Sequence, residues 1–115
     1  MVMIGHLIVQ EASEQEPATF SYAIVTELLR EELGFDGVVI TDALGMGALA
    51  EYNEVTRCQK AIMAGCDILL GMTQPEETLS QLQQPVQDNE IPESRIDESV
   101  LRILKLKIAN GIYTP

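Results

Sequence analysis

Positive charge is scarce in this chain. Seven lysines and arginines stand against 18 aspartates and glutamates, a formal net charge of −11 at pH 7. Such a balance repels phosphate backbones and anionic headgroups, so neither nucleic acid nor a membrane surface is an expected partner, and most of the acids read as solvated helix faces that aid solubility. Cysteine is nearly as rare. Cys58 and Cys66 have no metal-ligand spacing and no further partner, so they read as small buried apolar residues of a reducing compartment, with a structural disulfide poorly supported. No stretch approaches the roughly 20 apolar residues a membrane helix needs. The N-terminus lacks a basic leader and a cleavage site, and its apolar stretch is broken by His6, the one histidine. A phosphate-binding glycine loop, a metal cluster and a Ser- or Cys-His nucleophile set are all missing, so no cofactor or metal is expected. By default the chain is expected to be soluble and cytoplasmic.

What is present suits one core: 46% of the 115 residues are hydrophobic, enough for a single domain at most. Val2 to Val9 reads as a first strand. Residues 10 to 18, with Pro17, form a loop, and Ser21 or Thr19 can cap the helix that follows. Ile24, Val25, Leu28, Leu29 and Leu33 form its apolar stripe and Gly34 its stop. Phe35 to Thr41 is a second strand. Glu54 to Ala64 reads as a helix with Val55, Cys58 and Ile62 on one face and Gly65 at its end, and Cys66 to Met72 as a third buried strand. Pro75 opens a polar helix carrying Leu79, Leu82 and Val86. The last helix, about Asp97 to Ala109, repeats Val100, Ile103, Leu104 and Ile108 and stops at Gly111. Strands separated by helices at these lengths imply an α/β fold with parallel pairing through right-handed crossovers, about three strands and four helices.

The richest stretch is GFDGVVITDALGMGAL, residues 34 to 49. Val38, Val39, Ile40 and Thr41 suit a strand buried on both faces, and Asp42 stands at its exit, where chemistry gathers in parallel α/β folds. Gly45 and Gly47 let the backbone turn tightly and approach a ligand beside the acid. The plainer reading of Asp42 is an acid that caps the turn after a strand. Arg30 and Asp36, at the opposite end of the strand, read as charges that stabilise the helix-to-strand junction.

This stretch resembles the nucleophile segment of the glycoside hydrolases of family 3, more the β-N-acetylglucosaminidase branch than the β-glucosidase branch. MVMIGHLIV and PATFSYAIVTELLREELGFDG resemble the family's strand, Pro-containing loop and Leu-Leu-Arg helix. AIMAGCDILLGM and ESRIDESVLRILKLKIANG resemble its last barrel strand and closing helices. The family's catalytic domain is a (β/α)8-type barrel about two to three times this length. The resemblance therefore implies one partial domain, residues 1–115, from the C-terminal portion of that barrel. It leaves open sheet edges and apolar faces through which the chain is expected to self-associate.

By the same resemblance, Asp42 matches the nucleophile of a retaining glycosidase that cleaves terminal β-linked N-acetylglucosamine. There one carboxylate forms a covalent glycosyl-enzyme while a separate acid protonates the leaving oxygen and later activates water. In the branch resembled, that acid/base is a His paired with an Asp on an earlier loop, and nothing here matches it. His6 corresponds to the histidine of the family's Met-x-x-His strand, which is not the acid/base. It is retained as a pocket-lining, substrate-binding candidate, although a strand-end histidine is more often a hydrogen-bonded structural residue. Met46 is the other substrate-facing candidate, and simple packing explains it equally well. The expected activity is thus a β-N-acetylhexosaminidase-like hydrolase, incomplete and inactive as this chain. The alternative is a catalytically silent barrel fragment that acts only as a folding or interaction module.

Overall fold

The computed structural model describes residues 1–13 and 15–115. Strand β1 (Val2–Ile4) pairs in parallel with β2 (Val39–Thr41), Val2 opposite Val39 and Ile4 opposite Thr41. On the other side of β2 the segment 66–72 also runs parallel. Thr41 N–H donates to Ile68 O at 3.0 Å and Ile68 N–H to Val39 O at 3.1 Å, which makes one isolated bridge rather than the regular third strand expected. The ladder stops there because the next donor, Leu70 N–H, goes to the Thr41 hydroxyl at 3.0 Å instead of a backbone carbonyl. The first strand is also shorter than the sequence suggests. After Ile4 the chain turns away, and Ala18 N–H donates to Leu7 O at 2.8 Å beside an antiparallel bridge between Ile8 and Pro17.

Between the strands, Ala23–Glu32 is helical with i→i+5 bonding. Leu33 N–H, for example, donates to Leu28 O at 2.9 Å. Such π-helical geometry is rare over more than a turn. It splits the expected stripe: Val25 is buried and Leu29 packs on the core, but Leu28 and Leu33, five residues apart, share the outer face, and Leu33 is 69% exposed.

The remaining helices follow local rules. Helix α1 (Glu54–Ala64) is capped by Asn53, whose side chain accepts Thr56 N–H at 2.9 Å, and stops at Gly65, whose φ of 121° is a conformation L side chains rarely adopt. Helix α2 (Pro75–Gln87) opens on proline. Helix α3 (Glu93–Ala109) starts a turn earlier than expected, directly after Pro92. The core joins Phe20, Val25, Val39, Leu44, Leu49, Cys58, Ala61, Cys66, Leu82 and Ile91. By contrast Val100, Leu101, Leu104 and Ile108 of α3 lie exposed.

The end of the sheet where β2 begins is held by charge. The fully buried Asp67 carboxylate accepts Val39 N–H at 2.9 Å, Arg30 at 2.7 Å, Arg102 at 3.0 Å and the Ser99 hydroxyl at 2.7 Å. Arg95 stands 3.6 Å away. Burial alone would push this carboxyl up, but the Val39 amide, the Ser99 hydroxyl and the Arg102 and Arg30 guanidiniums outweigh it and hold it below the ordinary carboxylate range. The junction partner of Arg30 is therefore Asp67 and not the exposed Asp36, because Arg30 reaches across to Gly37 O and Gly65 O as well.

Candidate active site

Asp42 sits one residue past the C-terminal end of β2, half-buried, with its N–H on Ile4 O at 3.0 Å. One carboxylate oxygen, Oδ1, accepts the next residue's N–H, that of Ala43, at 2.7 Å. Among the described residues the other oxygen has no hydrogen-bond or ionic partner.

His6 comes to the same place from the end of β1. Its Nε2 lies 2.9 Å from Ala43 O and its Nδ1 2.8 Å from the Thr19 hydroxyl, which itself lies 2.9 Å from Gly5 O. A carbonyl only accepts, so Nε2 carries a proton. Both ring nitrogens are thus engaged by the protein. Thr19, which the sequence suggested as a helix cap, is fully buried and serves His6, while Ser21 meets Ile24 N–H at 3.3 Å. No local pattern betrays Thr19's role, since its partners lie 13 and 14 residues away.

Two glycines let the neighbouring turns close on each other. A Cβ on Gly71, at φ +65°, would lie 2.7 Å from the Ala43 Cβ, and one on Gly45 would lie 3.1 Å from Thr73 and 3.2 Å from Gly71 O. Gly45 is small for the adjoining loop, whereas Gly47 faces open space. Met46 is 43% exposed and leads into the 3-10 turn Gly47–Leu49.

The rim is stiffened from α1. Arg57 donates to Leu44 O and to Tyr52 O, each at 2.7 Å. Glu54 accepts the Thr73 hydroxyl, the N–H groups of Thr73 and Gln74 at 2.8 and 2.9 Å, and the Thr78 hydroxyl at 2.8 Å. The Thr73 hydroxyl first, then the Gln74 and Thr73 amides, hold the Glu54 carboxyl down at about 2. The sequence placed Glu54 only as a helix start. Its acceptor role at the opening of α2 was legible only in the unsatisfied donors every helix start presents.

Chemically, Asp42 offers a carboxylate oxygen at a strand end, without a neighbouring proton donor among its described partners. The two cysteines are unreactive: burial pushes Cys58 up to about 11 and Cys66 up to about 12. Among the described residues no group of three or more His, Cys, Asp or Glu could hold a metal ion, and no helix is long and apolar enough to cross a membrane. The largest of the described clefts, about 500 Å³, lies away from Asp42, between α1, α2 and α3 around Leu69, Leu82 and Ile91.

The α/β fold is what the comparisons with known proteins also define. The family model described as the glycosyl hydrolase family 3 N terminal domain matches residues 1–106. The chain belongs to this family of glycosidases. It is 36% identical over 108 residues to Beta-hexosaminidase A of Pseudoalteromonas piscicida, covering 85% of this chain and 18% of that one. Probable beta-glucosidase C of Aspergillus oryzae is 40% identical over 117 residues, covering 88% and 18%. Among solved structures, a glycoside hydrolase family 3 beta-N-acetylglucosaminidase from Paenibacillus sp. superposes with a TM-score of 0.87 at 35% identity, covering 98% of this chain and 22% of that one. The fold is thus that of the family's barrel domain. The chain spans about a fifth of the length of the curated relatives it matches, 18% in each of the two above.

Proposed function

We propose that these residues are the C-terminal, nucleophile-bearing portion of a retaining β-N-acetylhexosaminidase-like barrel, with Asp42 as the nucleophile. The observation that carries this is the position of Asp42: at the end of the central strand, half-exposed, one oxygen fixed by Ala43 N–H and the other without a partner. The free oxygen attacks the anomeric carbon as the bond to the leaving oxygen breaks, giving a glycosyl ester, and water then cleaves the ester with net retention. The proton for the leaving oxygen and the activation of water come from an acid/base in barrel segments outside this chain. Met46 lines the sugar side of the turn, with His6 at its inner edge. The hexosaminide preference rests on the motif resemblance and on relatives named for that activity, alongside others named for glucosides.

As the activity of these 115 residues alone, the reading is a catalytically silent barrel segment. Loss of general acid-base assistance alone costs about 10²- to 10⁴-fold. The exposed face of α3 and the open edge of β1 supply surface for association with a second copy. Hydrolysis of an aryl N-acetyl-β-glucosaminide by the purified chain is expected to be negligible. A glycosyl fluoride, whose departure needs no acid, is expected on long incubation to leave one glycosyl ester, mapped by peptide mass to Asp42 and absent in Asp42→Asn. Robust turnover by the chain contradicts its incompleteness, and an ester on another residue, or none, contradicts the assignment of Asp42.

A further inference from the structure

We infer that His6 and Thr19 are positioning residues for Asp42, acting through the backbone of Ala43 rather than by touching substrate. This rests on the reading of Asp42 as nucleophile, but the geometry that carries it is independent of that role.

The only intramolecular partner the described structure gives the Asp42 carboxylate is the N–H of Ala43, so the carboxylate points wherever the peptide between Asp42 and Ala43 directs it. Upstream, that peptide is set by Asp42 N–H on Ile4 O at 3.0 Å. Downstream, the peptide between Ala43 and Leu44 is held at both ends: its carbonyl by His6 Nε2 at 2.9 Å, its N–H by Leu70 O at 2.8 Å. The close approach of Gly71 to Ala43 leaves the turn little room on its other side.

His6 can hold that carbonyl only in the ring orientation and tautomer that present Nε2–H. The buried Thr19 hydroxyl fixes that orientation: it donates its own proton to Gly5 O at 2.9 Å, one residue before His6, and its oxygen lies 2.8 Å from Nδ1. Thr19 lies in the short 3-10 turn Ala18–Phe20, packed against α1, so the aim of the carboxylate is tied to the core. Because misplacing a reacting group by 1 Å can cost about 10²-fold in rate, such a relay is a means of setting reactivity without contacting the sugar. The histidine that the motif suggested as pocket-lining thereby acquires a role that uses both ring nitrogens.

The test is solution NMR of the full 115-residue chain. In the native protein the geometry requires a proton on His6 Nε2, a through-hydrogen-bond coupling from Nε2 to the Ala43 carbonyl carbon, and a single Asp42 χ1 rotamer. In His6→Phe, amide exchange of Ala43 and Leu44 should rise at least tenfold relative to the core amides of Cys58 and Ala61, and the Asp42 couplings should average. His6→Gln, which can present an N–H near the same point, should restore them. Should His6→Phe fail to fold, Thr19→Val removes only the tether, and the native-state Nε2 proton and coupling decide alone. An Nε2 without a proton, a missing coupling, or a His6→Phe chain whose Asp42 rotamer is unchanged or whose exchange rises uniformly overturns the inference. Glycosyl labelling is a separate readout: an intact relay with no labelling of Asp42 refutes the nucleophile alone, and labelling with a loose relay refutes the positioning alone.

Discussion

Asp67 and Asp42 mark opposite ends of the same small parallel sheet and live in opposite circumstances. Asp67 is fully buried, and its two oxygens meet an amide, a hydroxyl and the guanidiniums of Arg30 and Arg102, with Arg95 close by. Asp42 is half-buried, and its carboxylate holds only the N–H of its own neighbour. A buried charge survives only when it is paired and hydrogen-bonded throughout, so Asp67 is committed to holding Arg30 and α3 to the start of β2. An acid left with an unused oxygen at a strand end is available for chemistry. The number of bonds a carboxylate already makes, more than its residue type or its place on a strand, separates the structural acid from the one proposed as the nucleophile.

The largest effect that bears on this contrast comes from Asp67→Ala. It leaves Arg30, Arg95 and Arg102 facing an empty site and should cost about 3–5 kcal/mol in urea unfolding, enough to unfold a marginal chain. Asp42→Asn, which breaks no long-range bond, should stay within about 0.5 kcal/mol of the parent. Equal losses at the two positions would erase the distinction.

Gly71→Ala should come next. Its φ of +65° and the 2.7 Å approach of a new Cβ to Ala43 together predict a loss of about 1–3 kcal/mol in the same measurement. Amide shift changes should centre on Ala43 and Leu44, which connects stability at this turn to the geometry of Asp42.

Much of this was legible in the chain itself. The ends of α1 and α2 follow from a capping residue, a stop glycine and an opening proline, all local rules. The place of Asp42 follows from an apolar run that ends on an acid. What escaped is what long-range side chains decide. A lone acid after Gly65 and Cys66 gives no sign that Arg30, 37 residues earlier, will reach it. The Thr41 hydroxyl that cuts short the third strand is a choice between two acceptors for one N–H, invisible in β-propensity. The i→i+5 winding of Ala23–Glu32 likewise has no periodic signature that separates it from an ordinary helix over ten residues.

The smallest effect concerns acid. Glu54 is held at about 2 in the folded chain against an ordinary value of 4.5, so its contribution is fully present above pH 4.5 and is lost as pH falls towards 2. Asp67, also held below its ordinary value, adds loss in the same direction. Thermal unfolding followed across this range should show a gap between the parent and Glu54→Gln that is constant near neutrality and closes by about pH 2. A gap that persists in acid, or one that opens there, would show that Glu54 does not anchor the Thr73 to Thr78 segment as a carboxylate.

The most direct measurement of the central claim is carboxylate footprinting of the native chain: carbodiimide-driven amidation followed by peptide mass mapping. The account predicts that Asp42 is amidated in the folded protein while Asp67 stays protected until the chain is unfolded in urea. Protection of Asp42 equal to that of Asp67, or modification of Asp67 in the native state, would contradict it.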